Sequence, residues 1–226
     1  MSEIITIDGP SGVGKSTVSR FLAKILGYLY LDTGAMYRAV ALSASRKSIE
    51  FLDGPSLARM CGSMDLNFKE KLGEWRIFIG DEDVSAAIRT PDMDGASSQI
   101  STVREVREAM TVLQRKIALG LSVVAEGRDM GTVVFPEAEH KFFLVAPAQT
   151  RARRRYLERL DKGEQAGLED VAAAMKERDE RDSARELAPL KPAENAIVIE
   201  TGNLTQDEVV SLILKHIAAP TAPAGE

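Results

Sequence analysis

The stretch Ile4 to Thr17, IITIDGPSGVGKST, constrains the fold of this chain more than any other. Ile4 to Ile7 is a short apolar, β-branched run suited to a buried strand. It leads into Gly9-Pro10-Ser11-Gly12-Val13-Gly14-Lys15-Ser16, a full match to G-x-x-x-x-G-K-[ST]. From Ser16 to Leu26 the spacing is helical, with Val18, Leu22 and Ile25 or Leu26 on one face. Strand, glycine loop and helix follow in the order that anion binding requires. Glycines let successive backbone N–H groups converge on phosphate oxygens, and the helix N-terminus adds unpaired donors and a positive dipole end. Gly9 to Thr17 therefore reads as the cradle of a nucleoside triphosphate. Lys15 reaches the outer phosphates, and the Ser16 hydroxyl helps to hold Mg²⁺.

At 226 residues the chain is one large domain, or one domain with insertions. The single cysteine, Cys61, excludes an internal disulfide and suits a reducing compartment; its apolar surroundings mark it as a small buried side chain. No signal peptide is recognisable ahead of the first strand, and no apolar run approaches the roughly 20 residues of a membrane helix. The expectation is a cytoplasmic protein with no membrane partner. A net charge of −5 argues against a nucleic-acid-binding surface. With two histidines, His140 and His216, a His/Cys metal site is not available, so any metal is a hard cation held by oxygen and phosphate.

Further short strands at Tyr28–Leu31, Leu121–Ala125, Lys141–Val145 and Ala196–Ile199 alternate with helical segments. These segments are Met36–Ala44, Thr102–Leu119, Gln149–Leu160, Leu168–Leu187 and a last helix opened by the capping box Thr205/Glu208, running to about Ala218. Alternation of this kind gives a five-stranded parallel sheet covered by helices on both faces. Between Gly54 and about Arg89 the texture changes. Asp65–Lys69 and Trp75–Ile79 alternate apolar and polar residues around a turn at Gly73, which is antiparallel hairpin material. The expected organisation is a single domain over 1–218, an inserted subdomain at about 54–100, a lid at about 148–170 and a flexible tail at 219–226.

Ligands of parallel sheets gather beyond the carboxyl ends of the strands, where Asp32-Thr33-Gly34 and Glu126-Gly127-Arg128-Asp129 fall. Phosphoryl transfer needs charge neutralisation there more than covalent chemistry. Arg151, Arg153, Arg154 and Arg155 form a run with no acid among them, as a mobile lid over a triphosphate would require. The segment 176–185 also carries arginines, but its four cations balance four acids, and it reads equally well as a solvated helix face.

These stretches together resemble the bacterial cytidylate kinases, a branch of the P-loop nucleoside-monophosphate kinases. The resemblance is carried by Asp8 to Thr17, by Leu31-Asp32-Thr33-Gly34-Ala35-Met36-Tyr37-Arg38, and by Glu82–Ser85 through Ile88-Arg89-Thr90. Val106–Ala109, Gly127 to Pro136 and Lys176 to Asp182 complete it, so that it spans about Ile4 to Leu214. It implies a P-loop NTPase core, an arginine-rich helical lid and a monophosphate-binding insertion carrying a small antiparallel sheet. It implies that Thr33, Arg38 and Arg128 hold the acceptor phosphate and that Ser98, Arg107 and Asp129 read the cytosine edge. Arg178 and Asp182 approach the ribose, and Arg185 makes another phosphate contact. Lys15, Arg128 and the lid residues Arg151, Arg154 and Arg155 form the catalytic set, with Asp32 reaching Mg²⁺ through water. Three positions depart from the family pattern: Ser16 in place of a frequent glycine, Thr33 in place of a serine, and Glu126 in place of an aspartate.

The base assignment agrees with elementary chemistry. Cytosine offers an N4 donor and N3/O2 acceptors, which a carboxylate such as Asp129 and a guanidinium such as Arg107 complement. Uracil reverses the pattern at positions 3 and 4. The expected activity is transfer of the γ-phosphoryl group of MgATP to CMP or dCMP by a monomer. The alternatives are a kinase for UMP, AMP or a non-nucleotide acceptor, a nucleotide-dependent switch, or an RNA-binding protein using 151–155. A guanine-specific switch is disfavoured because no N/T-K-x-D tetrapeptide occurs.

Overall fold

The computed structural model describes residues 2–71 and 73–218. Its centre is a parallel sheet of five strands in the order β2-β6-β1-β7-β8, formed by Ile4–Asp8 (β1), Leu29–Asp32 (β2), Val123–Gly127 (β6), His140–Val145 (β7) and Ile197–Glu200 (β8). β1 lies in the middle, with Asp8 opposite Gly127 of β6 and Phe143 of β7. The carboxyl ends of β1, β2 and β6 thus open side by side. Sheet strands buried on both faces read as continuous apolar runs, and Ile5, Ile7, Leu31, Val123, Val124 and Ala125 are all buried.

Two apolar cores follow from this layering. On one face Lys15–Leu26 (α1) and Gln206–Ala218 (α8) pack Val18, Leu22, Val209 and Ile213 against Ile5, Ile7 and Phe142. On the other, Thr33–Arg46 (α2) and Arg104–Ala118 (α5) bring Met36, Val40, Val106 and Met110 to Leu31 and Ala125. The capping box of α8 forms as expected: Glu208 N–H donates to Thr205 Oγ1 at 3.3 Å and Thr205 N–H to Glu208 Oε2 at 2.8 Å. The expected tail at 219–226 lies outside the described residues.

The region from 54 to 100 differs from the sequence expectation. The hairpin is present as Leu66–Lys71 (β3) and Glu74–Ile79 (β4), extended by Glu82–Asp83 (β5), but a helix stands on either side of it: Gly54–Ser63 (α3) and Pro91–Ile100 (α4). Gly54-Pro55 is a helix start. Asp53 accepts from Ser56 N–H at 3.1 Å, and Pro55 sits in the first turn, where its missing N–H costs nothing. Thr90 and Pro91 open α4 in the same way. α4 packs on α2 and α3 on α5, so the insertion shares the larger core, which also buries Cys61 and pushes its thiol up to about 11.

Two charged helices, Ala148–Asp161 (α6) and Leu168–Ser183 (α7), pair through a small cluster of Ala152, Val171 and Met175. α7 stops four residues short of the expected Leu187. No described helix is long and apolar enough to cross a membrane.

Candidate active site

The phosphate loop is held open by its backbone. Gly9 has φ +147°, and a Cβ there would stand 2.3 Å from the Leu144 carbonyl oxygen of β7. Gly12 has φ +72° and passes 2.9 Å, measured in the same way, from the Arg151 carbonyl. Lys15 is buried and donates to the Pro10 carbonyl at 2.6 Å. Burial, and after it the nearby Arg128, hold its pKa well below the usual lysine value, while Glu126 and Asp8 pull the other way. A buried ammonium bonded, among the described residues, only to a carbonyl is placed to gain from an anion.

Around the loop opens a cavity of about 570 Å³. Its walls carry nine cationic side chains, among them Lys15, Arg20, Arg38, Arg154 and Arg155, against four carboxylates: Asp32, Asp94, Glu126 and Glu158. Of the three expected lid arginines, Arg154 and Arg155 line this cavity and Arg151 does not. Arg151 is buried behind the loop, donating to the Ser11 carbonyl at 3.1 Å and pairing with Asp179 at 2.5 Å. Arg154 donates to the Thr201 carbonyl at 2.7 Å, which ties α6 to the chain after β8.

A second, tighter cavity of about 50 Å³ adjoins the first through Gly34, Gly127, Arg128 and Arg178. Here both carboxylates are already paired with arginines. Arg107 and Asp129 form a buried ion pair, with Arg107 also donating to the Ser101 carbonyl at 3.0 Å and lying 5.8 Å over the Tyr37 ring. Asp182 is 1% exposed and accepts from Arg128 at 2.8 Å and from Arg185. Burial alone would raise the Asp182 acid, but Arg128, Arg185 and Arg178 outweigh it and hold the group below the usual range. Arg178 is pushed down to about 10, first by burial and then by Arg128. The Nε donors of Arg38, Arg178 and Arg185 are buried with no acceptor in the described protein. Buried donors of this kind need an acceptor, which an anion entering the cavity can supply.

Thr33 lines the second cavity and donates to the Glu126 carbonyl at 2.6 Å. Ser98 does not line it. Its hydroxyl is buried and accepts from Arg181 at 2.8 Å, while Ser97 and Ser101 face the cavity instead. Asp32 caps α2 by accepting from Ala35 N–H at 2.8 Å, and its other oxygen lies 3.8 Å from Arg38.

Several residues of the site had no assigned role in the sequence. The carboxylate of Asp8, at the end of β1, accepts from Met130 N–H at 2.9 Å and Gly131 N–H at 2.8 Å, so it anchors the π turn Met130–Val134 that follows Arg128-Asp129. Burial, against the opposing pull of those N–H groups, pushes its acid up to about 6. Glu126 is buried, one oxygen accepting from Tyr30 and the other, Oε2, without a hydrogen-bond partner among the described residues. Burial and Asp32 raise its acid; Lys15, Tyr30 and Ser16 oppose them. An acidic residue ending a buried strand beside a phosphate loop was the readable signal for both.

Comparison with known proteins fits this arrangement. The family model described as cytidylate kinase matches residues 5–219. The chain belongs to the cytidylate kinase family. Its relatives include the cytidylate kinase of Geobacter sp. (strain M21), 49% identical over 95% of this chain and 92% of that one. That of Caldanaerobacter subterraneus subsp. tengcongensis is 46% identical over 96% of this chain and 95% of that one. Among solved structures, an uncharacterized protein from Eubacterium ventriosum superimposes with a TM-score of 0.51 at 15% identity, covering 96% of this chain and 98% of that one, a likeness of fold alone.

Proposed function

We propose that this member of the family transfers the γ-phosphoryl group of ATP to CMP or dCMP, giving ADP and the cytidine diphosphate. The observation that carries the reading is a set of three buried guanidinium Nε donors without acceptors among the described residues: those of Arg178 and Arg185 on the cavity that holds the Arg107–Asp129 pair, and that of Arg38 on the larger cavity beside it. The donors match an acceptor phosphate, and the pair matches the N4 donor and N3/O2 acceptors of cytosine.

In this reading an oxygen of the acceptor phosphate attacks the γ-phosphorus, and the bond from that phosphorus to the β–γ bridging oxygen breaks. The acceptor oxygen is already ionised, so no base is needed. Gly9 to Thr17 hold the donor phosphates; Lys15 and Arg128 meet the charge that develops, with Arg154 and Arg155 from the lid. Arg151 acts behind the loop, fixing Ser11. Thr33, Arg38, Arg128 and Arg185 take the acceptor phosphate, Arg178 and Asp182 the ribose side, and Arg107 and Asp129 the base. Ser98 acts on that pocket through Arg181 and the helix α4.

The unpartnered Glu126 Oε2, with Asp32 and the Ser16 hydroxyl nearby, is an all-oxygen donor set that suits Mg²⁺. Bound there with ATP, Mg²⁺ would neutralise charge on the β and γ oxygens. We take the active species to be the monomer, with residues 54–100 and 148–170 moving as its acceptor and lid units. We place it in the cytoplasm with its nucleotide substrates, without nucleic-acid or membrane partners.

The test is ADP release from MgATP with CMP, dCMP, UMP, AMP and GMP offered in turn. Turnover concentrated on CMP and dCMP is the expected outcome. Turnover centred on UMP or AMP would discard the roles of Arg107 and Asp129, and no acceptor-dependent turnover would discard the kinase.

A further inference from the structure

Asp94 is one of four carboxylates in a cavity lined by nine cationic side chains. It lies in the first turn of α4, whose start is set by the Thr90 cap and Pro91. Its two oxygens face two different elements. Oδ1 lies 3.6 Å from a terminal nitrogen of Arg38 on α2, and Oδ2 accepts from Arg155 on α6. Its charge also reaches Arg178 on α7. The three paired side chains are 17%, 26% and 27% exposed, so water screens them only in part. Glu158 supplies Arg155 with a second partner, and Arg38 has Asp32 at 3.8 Å.

A carboxylate clamped between two guanidinium groups presents the same oxygens and the same sign of charge as one edge of a phosphate. We propose that Asp94 is an internal competitor of substrate phosphate. It holds Arg38 and Arg155 on one anion and yields them when the acceptor phosphate enters. The inference rests on the kinase reading and adds to it a residue that opposes binding. Asp94 joins the insertion, through α4, to the arginine helix α6, so release of this ion pair is the step that uncouples the two elements. A phosphate dianion brings more charge than one carboxylate and wins the exchange. A nucleoside, having no phosphate, leaves it in place.

The test compares wild type with Asp94→Asn and Asp94→Ser by calorimetry, using cytidine, CMP and inorganic pyrophosphate, with melting curves to confirm that each variant folds. Both variants should bind CMP and pyrophosphate about fivefold more tightly, the scale of one half-screened ion pair, and cytidine unchanged. The KM for CMP should fall by a similar factor, and Asp94→Glu should restore the weaker binding. Unchanged or weaker binding of CMP and pyrophosphate would overturn the proposal, as would equal tightening of cytidine. If wild type does not bind CMP but pyrophosphate still binds more tightly to the variants, the acceptor assignment fails and the competing role of Asp94 stands. If CMP is turned over and neither anion binds more tightly, the kinase stands and the competitor does not.

Discussion

The cavity walled by Arg107, Asp129 and Asp182 and the cavity walled by Lys15, Arg38 and Arg155 share Arg128 and Arg178, yet they hold charge differently. In the first, both carboxylates are consumed by named arginines, and the geometry is fixed by direction: Asp129 by Arg107, Asp182 by Arg128 and Arg185. In the second, cations outnumber acids nine to four. Paired, buried groups discriminate, because a wrong ligand leaves one of them unpaired. Surplus cations neutralise, and so give affinity for phosphate with little regard for what carries it. Substitutions in the two walls should therefore fail in different ways.

The largest effect is expected at Lys15. Lys15→Met should lower kcat by about 10³-fold, the scale of losing one preorganised charge at the transition state. Because burying this ammonium already disfavours its charged form, stability should hold or rise, which melting curves will show. Arg107→Met should do the reverse in part. It leaves Asp129 buried without its guanidinium, a loss of about 3 kcal/mol in urea unfolding, alongside weakened use of CMP. A stable Arg107→Met protein with normal CMP kinetics would erase the distinction between the walls.

Asp8 sharpens it through pH. Its acid stands at about 6 in the folded protein against an ordinary 3.8, so the folded state binds this proton more tightly than the unfolded chain does. The stability it contributes is full below about pH 4 and is lost as pH rises through about 6, roughly 3 kcal/mol in the difference between wild type and Asp8→Asn. Activity should run the other way. Only the ionised carboxylate accepts from both Met130 and Gly131, so kcat/KM for CMP should fall about tenfold per unit below about pH 6. The smallest effect is expected at Glu126. Glu126→Gln should raise the Mg²⁺ concentration for half-maximal rate by about tenfold, measured at saturating ATP.

The phosphate-loop strand and helix were legible because backbone chemistry dictates their glycines and lysine, and the sheet because buried parallel strands have no polar face. α3 and α4 were hidden because Gly54-Pro55 and Thr90-Pro91 resemble breakers, and only the cap bonds of Asp53 and Thr90 distinguish a start from a stop. The arginines were readable as a class, but their division was not. Arg151 turns behind the loop to Ser11 and Asp179, whereas Arg155 turns inward to Asp94, and no spacing rule separates neighbours on one helix by their long-range partners. Ser98 and Ser101 divide in the same way: three residues apart at a helix end, they accept from Arg181 and Arg185 respectively, and Ser101 rather than Ser98 lines the smaller cavity. Asp8 and Glu126 were visible as acids at strand ends, yet their work depends on the π turn and on Tyr30, which lie far away in sequence.

The most direct test of the contrast between the two walls is the ratio of kcat/KM for CMP to that for UMP, measured in wild type and in Asp129→Asn, with the KM for ATP followed in parallel. Wild type should show a strong preference for CMP and the variant a drop in that ratio of about 100-fold, with the ATP value unmoved. A ratio unchanged by the substitution, or an ATP KM that moves with it, would contradict the claim that the paired wall reads the base and the cationic wall the phosphates.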